Sequence, residues 1–425
     1  MQVFEQHESR IRGYCRSYPT VFATASNARQ IDEAGKSYID FFAGAGVLNF
    51  GHNNPRMKQA IIEYIQNDGV LHSLDMYTSA KRSFIKKFVA TVLKPRKMNY
   101  KLQFMGPTGT NAVEAALKLA RRVTGRQDIV AFSGGFHGMT LGSLACTANG
   151  YFRDAAGVPL PHVIRAPFGC ESQCVGCEMG CGLETLNELR ARFEDPAGGI
   201  EKPAAFILEA IQAEGGVHVA GEQWLREVQR LAHDLGALLI IDDIQAGCGR
   251  TGSYFSFDGM GLDPDIITLA KGLGGIGTPI AMNLVKPEHD EHWQPAEHTG
   301  TFRGQGLSFV AGAEALTYFD DDVLMEDTLR KGARIRQELV LIAKRFPDKG
   351  LDVRGKGMMQ ALDIGDGGLA KQIAADCFQA GLLIGPCGSG GRVLKLIPPL
   401  TIPDEDIEAG LKIFSEAVIR RLEEA

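Results

Sequence analysis

Short apolar runs alternate with helical patterns through the middle of this 425-residue chain. Continuous apolar runs of strand length are typical of parallel strands that are buried on both faces. Helical patterns such as 111–122 and 222–235 lie between these runs. Alternating strands and helices predict an α/β fold, in which helices cover a mostly parallel central sheet. The candidate strands are 101–105, 128–132, 204–209, 237–242, 265–270 and 279–284.

The two ends of the chain carry a different pattern from its middle. Residues 1–50 mix polar and aromatic positions, and the region after residue 305 has long amphipathic helices separated by short strand-like pieces. We therefore predict that 51–305 form a large domain, and that 1–50 and 306–425 pack together as a smaller α+β domain. The helices predicted in the last region are 308–319, 323–346 and 403–424, and the strand-like pieces are 355–364 and 393–396.

Composition narrows the class of protein. Apolar residues make up 44% and charged residues 23% of the chain, as in ordinary globular proteins. The net charge of −6 argues against a protein that binds nucleic acid electrostatically. No apolar run approaches the ~18 residues that span a membrane, and the charged N-terminus lacks the apolar stretch of a signal peptide. We therefore expect a cytoplasmic protein that binds neither nucleic acid nor membrane.

The segment MGPTGTNAVEAALKLARR, residues 105–122, combines a strand end, a Gly/Thr turn and an alanine-rich helix. Backbone N–H groups at the start of such a helix, together with the hydroxyls of Thr108 and Thr110, can hold a phosphate. Threonine is also a common N-cap, so an ordinary helix start explains the same residues. The segment alone leaves both interpretations open.

Two charged residues follow apolar strands of the same predicted sheet. Asp242 ends the run ALLIID, where α/β proteins place ligand-binding groups, and a carboxylate there can pair with a cationic nitrogen. Lys271 follows DIITLA, where loss of solvent lowers the pKa of an amine and suits it to Schiff-base formation. Each has a plain alternative, a solvated turn acid for Asp242 and a surface lysine for Lys271. Together with a phosphate-binding helix, they are the three groups that pyridoxal 5'-phosphate needs.

Six motifs stand in order along the chain: PTGTNAVEAALKLAR, FSGGFHGMTLGSL, ILEAIQAEGGV, IIDDIQAGCGRTG, AKGLGG and HTGTFRGQGLS. Together they resemble the class III (ω-amino acid) aminotransferases of fold type I. The resemblance extends from YIDFFAGAGVLNFGHNNP at 38–55 to LKLIPPLTIPDEDI at 394–407. It implies the fold type I architecture, a pyridoxal 5'-phosphate cofactor, and amino acid and 2-oxo acid substrates.

The resemblance assigns the groups around the cofactor ring. It implies that Lys271 bonds the cofactor and moves the proton of the reaction, and that Asp242 pairs with the ring nitrogen. Gln245 is implied to reach the side of the ring 3-hydroxyl. Phe136 is implied to stack on the ring with His137 beside it, although His137 could serve packing alone.

The resemblance also assigns the phosphate and the walls of the pocket. It implies that Gly109 and Thr110 hold the phosphate within one subunit, and that Thr301 reaches it from a partner subunit. A homodimer, or a dimer of dimers, is therefore expected, because each complete site needs two chains. Glu209 and Glu214 are implied to line the pocket, although Glu209 could instead be structural.

Two departures from most of the family point to a subgroup. Met139 stands where ornithine-type members have an arginine, and Lys395 replaces the arginine that binds the α-carboxylate in most members. Lysine offers a point charge instead of a bidentate fork. Both departures resemble the diaminobutyrate–2-oxoglutarate transaminases, including those of ectoine biosynthesis, and imply transfer of the terminal amine of L-2,4-diaminobutyrate to 2-oxoglutarate. The alternatives are another ω-amine donor (4-aminobutyrate, ornithine, lysine or a polyamine), another fold type I reaction, or an inactive scaffold.

The stretch CESQCVGCEMGC, from Cys170 to Cys181, holds four of the nine cysteines and lies in a predicted insertion at 167–182. Cys170, Cys174 and Cys177 follow a spacing that can hold an iron–sulfur cluster. Three interpretations remain open: free thiols in a surface loop, a structural zinc or iron–sulfur site that includes Cys181, or a cluster used in catalysis.

Overall fold

The computed structural model describes residues 1–169 and 182–424. Its strands and helices alternate through the middle of the chain as the apolar pattern predicts. The strands are β1 Phe22–Ser26, β2 Arg29–Asp32, β3 Ser37–Asp40, β4 Lys101–Phe104, β5 Ile129–Phe132, β6 Val163–Ala166, β7 Ala205–Leu208, β8 Ile211–Gln212, β9 His218–Val219, β10 Leu238–Asp242, β11 Ile266–Leu269, β12 Met282–Val285, β13 Asp352–Lys356, β14 Met359–Asp363, β15 Leu382–Leu383, β16 Gly385–Cys387 and β17 Val393–Leu396. The helices are α1 Gln2–His7, α2 Tyr14–Ser17, α3 Ala43–Gly46, α4 Pro55–Gln66, α5 Ser79–Phe88, α6 Gly109–Thr124, α7 Leu141–Cys146, α8 Gly150–Asp154, α9 Leu183–Glu194, α10 Glu222–Asp234, α11 Pro287–Asp290, α12 Gly306–Ala315, α13 Val323–Arg345, α14 Gly367–Gln379 and α15 Asp404–Glu424.

The central sheet has the strand order β4-β12-β11-β10-β7-β5-β6. Its pairs are parallel except for the two that β12 makes with β11 and β4. All residues of β5, β7, β10 and β11 are buried, which explains why these strands are apolar on both faces. The prediction of a mostly parallel α/β sheet is confirmed.

Helices cover both faces of this sheet. On one face, the alanine-rich side of α6 packs in a core with Ile129, Ile240 and Ile266. On the other face, α10 contributes Trp224 and Val228 to a larger apolar core. Because α6 directly follows β4, its N-terminus lies at the carboxyl end of the sheet. None of the helices described in 1–169 and 182–424 is long and apolar enough to span a membrane.

Two strands of the sheet differ from the apolar pattern. The pattern does not predict β6, because Arg165 interrupts it; this guanidinium donates to the carbonyls of Cys146 and Ala145. β12 begins later than the apolar run that predicts it and runs antiparallel to both neighbours. Pro279 starts that run, and proline has no N–H to donate to a strand ladder.

The two ends of the chain pack together in the second part of the molecule. β3 pairs in parallel with β15, so that residues near the N-terminus and the C-terminus share a sheet with the order β1-β2-β3-β15. A further sheet has the order β13-β14-β17-β16, with antiparallel pairs. Phe41 and Phe414 belong to one buried core. The domain boundaries at 50 and 305 stay predictions, and Phe309, just beyond the second one, packs in the core beneath the central sheet.

Candidate active site

A cavity of about 420 Å³ opens at the carboxyl ends of the parallel strands. Its walls come from the loops that follow β4, β5, β7, β10 and β11. Because parallel strands end at the same edge of a sheet, residues that are far apart in sequence converge there. Nine of the predicted site residues line this cavity: Gly109, Thr110, Phe136, His137, Glu209, Glu214, Asp242, Gln245 and Lys271.

A buried pair of Asp242 and His137 forms one wall of the cavity. Asp242 is the last residue of β10, and its Oδ2 lies 2.8 Å from His137 Nδ1. Its Oδ1 accepts from the backbone N–H of Ile244 and the hydroxyl of Thr268, each at 3.2 Å. These three contacts hold the carboxylate in a fixed orientation, from which it can face a cationic atom of a ligand.

Glu209 follows β7 and holds the backbone of the predicted stacking residue. Its carboxylate accepts from the N–H of Phe136 at 2.8 Å and from the N–H of Ala213 at 3.3 Å. Burial raises the pKa of Glu209 to about 7, with His137 opposing the shift and Asp242 adding to it. Glu209 therefore fixes the turn from which Phe136 reaches the cavity.

Lys271 reaches the cavity from the turn after β11. Its backbone φ is 48°, a left-handed conformation that is uncommon for a residue with a side chain. Burial lowers the pKa of Lys271 from 10.5 to about 8, although the carboxylate of Glu214 acts in the opposite direction. More neutral amine than usual is therefore present near neutral pH, which suits a nucleophile in Schiff-base chemistry.

The predicted phosphate site lies at the N-terminus of α6, which begins at Gly109. The Thr110 hydroxyl lies 2.7 Å from that of Thr140 and 2.6 Å from that of Ser143. Glu114 accepts from the Thr140 hydroxyl at 2.5 Å and from the Ser143 N–H at 3.0 Å. None of these three neighbours was predicted from the sequence, although Thr140 and Ser143 stand in the motif that carries the stacking residue. Hydroxyls beside a helix N-terminus supply donors for an anion.

Lys395 lies behind the cavity and contacts a residue that lines it. Its ammonium lies 2.6 Å from Glu214 Oε1, 3.3 Å from Gln245 Oε1 and 3.4 Å from the Ala213 carbonyl. Burial alone would raise the pKa of Glu214, but Lys395 and Lys271 outweigh it and lower the pKa to about 2. Glu214 is therefore anionic and paired with Lys395 at neutral pH.

Two groups of predicted residues do not contribute to this cavity. Thr301 is exposed and does not line the cavity of its own chain, and its carbonyl accepts from His72 Nε2 at 2.8 Å. The predicted metal ligands Cys170, Cys174, Cys177 and Cys181 lie outside the described residues. Within 1–169 and 182–424, no group of three or more His, Cys, Asp or Glu side chains is arranged to hold a metal ion.

The side chains of the cavity fit pyridoxal 5'-phosphate. Asp242 is a buried carboxylate that can pair with a protonated ring nitrogen, and Lys271 is an amine with a lowered pKa. Phe136 offers an aromatic face, while the N-terminus of α6 and the Thr110 hydroxyl offer donors to a phosphate. All four groups border one cavity, so a single ligand can reach them together.

Comparison of the sequence with known proteins gives a consistent result. The family model described as "Aminotransferase class-III" matches residues 14–418. A diaminobutyrate–2-oxoglutarate transaminase from Wolinella succinogenes is 49% identical over 418 residues, which cover 98% of this chain and 96% of the relative. A diaminobutyrate–2-oxoglutarate transaminase from Halalkalibacterium halodurans is 49% identical over 421 residues, with the same coverage of 98% and 96%.

Solved structures agree on the fold. A Bacillus anthracis aminotransferase superposes with a TM-score of 0.88 at 24% identity, covering 99% of this chain and 97% of that chain. The ornithine aminotransferase of Toxoplasma gondii superposes with a TM-score of 0.84 at 24% identity, covering 100% and 95%. The fold type I architecture is therefore confirmed. Because the family model and the relatives match nearly the whole sequence, the chain belongs to the class III aminotransferases.

Proposed function

We propose that this aminotransferase moves the terminal amino group of L-2,4-diaminobutyrate to 2-oxoglutarate, giving L-aspartate 4-semialdehyde and L-glutamate, and also catalyses the reverse reaction. The transfer takes place in two half-reactions, because the cofactor carries the amino group between donor and acceptor. The activity for which the relatives at 49% identity are named supports this substrate pair. The observation that carries the proposal is the pair that buried Lys395 forms with the partly exposed Glu214 beside the cavity.

Each side chain at the cavity has a part in the proposed chemistry. When bound, pyridoxal 5'-phosphate supplies an aldehyde that takes up the amino group and a ring that accepts electrons. Asp242, oriented by His137, would keep a proton on the ring nitrogen. Lys271 Nζ would carry a proton to and from the reacting carbon of the substrate. Thr110 and the N-terminus of α6 would hold the phosphate, and Phe136 would cover one face of the ring.

The two amino substrates carry their charges at different positions. L-Glutamate reacts at a carbon that bears a carboxylate, whereas diaminobutyrate reacts at a terminal carbon that bears none. We assign the α-carboxylate of glutamate to Lys395, after Glu214 has turned aside. In the diaminobutyrate half-reaction, Glu214 stays on Lys395 and neutralises it. The exposure of the two side chains supports these two positions of Glu214. The Glu214 side chain is 32% exposed and can move, whereas that of Lys395 is 2% exposed.

Lys395→Ala tests the assignment of the carboxylate. A charge-assisted hydrogen bond contributes about 1.5–3 kcal/mol, so conversion of the cofactor by L-glutamate should slow by roughly tenfold to a hundredfold. Conversion of the cofactor by diaminobutyrate should slow less, because the reacting carbon of diaminobutyrate bears no carboxylate for Lys395 to bind. Stopped-flow absorbance of the holoenzyme measures each half-reaction separately. Lys395→Arg, which keeps the charge, is the matched control. Unchanged rates in Lys395→Ala, or equal losses in both half-reactions, would show that the assignment is wrong.

The substrate proposal itself is tested with one amine at a time. Holoenzyme receives 2-oxoglutarate with diaminobutyrate, 4-aminobutyrate, ornithine, lysine or putrescine, and L-glutamate formation is coupled to a dehydrogenase. Diaminobutyrate should give the highest kcat/KM of the five. A higher value for another amine would replace the proposed donor, and no glutamate from diaminobutyrate would refute the proposal.

We also propose that a complete site needs two copies of this chain. Thr301 and its neighbour Phe302 are exposed, as is Tyr77 in the segment that contacts them. The two segments are joined by the His72–Thr301 contact at 2.8 Å and by the N–H of Ser73, which donates to the Gly304 carbonyl at 3.0 Å. Exposed apolar side chains grouped beside a site are typical of an interface between subunits.

Thr301→Ala tests the two-chain site. The partner's Thr301 would donate to the cofactor phosphate, so its loss should weaken binding of pyridoxal 5'-phosphate by roughly tenfold. Titration of apoenzyme with the cofactor measures this affinity, and Thr301→Ser should restore it. Unchanged affinity in Thr301→Ala, or a holoenzyme that sediments as a monomer, would contradict the proposal.

A further inference from the structure

The turn that carries Glu214 is strained and is held from outside. Residues 213–217 connect β8 to β9, a short antiparallel pair. Within the turn, Val217 has a φ of 57° and Gly216 a φ of 123°. A positive φ is costly for a β-branched residue and persists only where the surroundings enforce it. The conformation of Glu214 therefore depends on the groups that hold this turn.

Those groups lie on one face of the β13-β14-β17-β16 sheet. In the register of this sheet, Arg354 pairs with Ala361, and Ala361 pairs with Lys395. Paired residues of antiparallel strands point to the same face, so two long cationic side chains flank one small alanine. Ala361 packs in a buried cluster with Val217, which brings the turn against this face.

The two cationic side chains, Lys395 and Arg354, contact opposite ends of the turn. At its start, Lys395 contacts the Glu214 carboxylate at 2.6 Å. At its end, Arg354 Nη1 donates to the Gly216 carbonyl at 2.8 Å. The N–H of Gly388 adds a third contact, because it donates to the Glu214 carbonyl at 2.9 Å. The main chain is thus held at Glu214 itself and at Gly216, and the Glu214 carboxylate is held by Lys395.

Arg354 is itself fixed by a second set of contacts. Its side chain is buried, with Nε donating to Asp352 Oδ2 at 2.6 Å and Nη2 donating to Asp363 Oδ2. Nη1 also lies 3.3 Å from His218 Nε2. A guanidinium can make these contacts at once because its donors point in several fixed directions, whereas an ammonium cannot span them.

We propose that Arg354 is a positioning residue for Glu214, and that its hold on the Gly216 carbonyl sets where the Glu214 carboxylate meets Lys395. Arg354 does not line the cavity, and it acts on Glu214 through the turn. The inference rests on the proposed function, in which Glu214 distinguishes the two half-reactions. Loss of the hold lets the turn relax, and Glu214 then no longer meets Lys395 in the geometry of the native enzyme.

A double-mutant cycle tests this role. Its members are Arg354→Lys, Glu214→Gln and the double variant, each assayed as holoenzyme by the rate of cofactor conversion with L-2,4-diaminobutyrate, the half-reaction in which Glu214 stays on Lys395. Arg354→Lys should slow this step by roughly tenfold to a hundredfold, as expected for a displacement of about 1 Å. In the Glu214→Gln background, the same substitution should change the rate by less than about twofold, because residues that act through one another are not additive.

A matched control is available at the same carboxylate. Arg392 Nη2 lies 3.1 Å from Asp363 Oδ2, and its side chain is 44% exposed. Arg392→Lys should change the rate by less than about twofold. If Arg354→Lys slows cofactor conversion equally in the native and Glu214→Gln backgrounds, Arg354 only supports the fold in general. If it slows conversion by less than twofold in the native background, Arg354 does not position Glu214. Either result overturns the inference.

A replacement variant and a comparison of the two half-reactions complete the test. Should Arg354→Lys fail to fold, Asp352→Ala takes its place in the cycle, because it frees one side of Arg354 and leaves the guanidinium present. The two half-reactions of the native holoenzyme also separate this inference from the substrate proposal. A native enzyme that converts its cofactor with glutamate but not with diaminobutyrate would refute the proposed donor; the cycle is then run with the terminal amine that the enzyme does convert, so that it still reports on Arg354.

Discussion

The lowered pKa of Lys271 gives a quantitative prediction for the enzyme without its cofactor. Burial destabilises the ammonium and lowers its pKa from 10.5 to about 8. Near pH 7.5, roughly one quarter of such amines are neutral, against roughly one in a thousand at the usual pKa. The structure therefore predicts a roughly 200-fold larger neutral fraction at Lys271 than at a solvated lysine.

The assay is the rate at which apoenzyme combines with pyridoxal 5'-phosphate, followed by absorbance between about pH 6 and pH 11. The rate should rise with pH and level off above about pH 8, where Lys271 is mostly neutral. Glu214→Gln should move the midpoint to lower pH, because the native carboxylate favours the charged amine. Lys271→Ala supplies the background without covalent attachment. A midpoint near the usual value for lysine, or an upward shift in Glu214→Gln, would refute the reasoning.

Two other variants give predictions with clear outcomes. Asp242→Asn keeps the size of the side chain but removes the charge opposite the ring nitrogen, so kcat should fall by roughly 100- to 1000-fold while cofactor absorbance remains; a loss below about threefold would contradict the assigned role. Replacing Cys174 and Cys177 with serine should leave cofactor absorbance unchanged, because Lys271 makes the bond. In that double variant, a joint fall in metal content and Tm identifies a structural metal, whereas unchanged values identify free thiols.

Much of the central sheet and of the cofactor site could be predicted from the sequence. The buried parallel strands are continuous apolar runs, and a charged residue at the end of such a run, as at Asp242, stands out against them. Parallel strands end at one edge, so the prediction that Asp242 and Lys271 follow strands of the same sheet already placed both at that edge. The resemblance to the class III aminotransferases then assigned residues such as Phe136 and Gln245, which line the same cavity.

Other contacts had no signal in the sequence. Glu114 looks like an ordinary exposed acid of an amphipathic helix, yet it accepts from Thr140 and Ser143 beside the phosphate site. The strand β6 was not predicted because it contains Arg165. The pattern of residues alone does not distinguish a buried guanidinium that donates to carbonyls from one at the surface. Arg354 belongs to the same group, since its acceptor Gly216 lies 138 positions away in sequence.

By itself, the sequence determined the fold class, the family and the chemical identity of the main groups, because apolar period, turn residues and motif order are local properties of the chain. Only the tertiary structure decided that Lys395 is buried against Glu214, and that Arg354 holds the other end of the same turn. Those contacts depend on the register of three antiparallel strands and on how a distant hairpin packs against them. Register and packing arise from the sum of many non-local interactions, which no short stretch of sequence encodes.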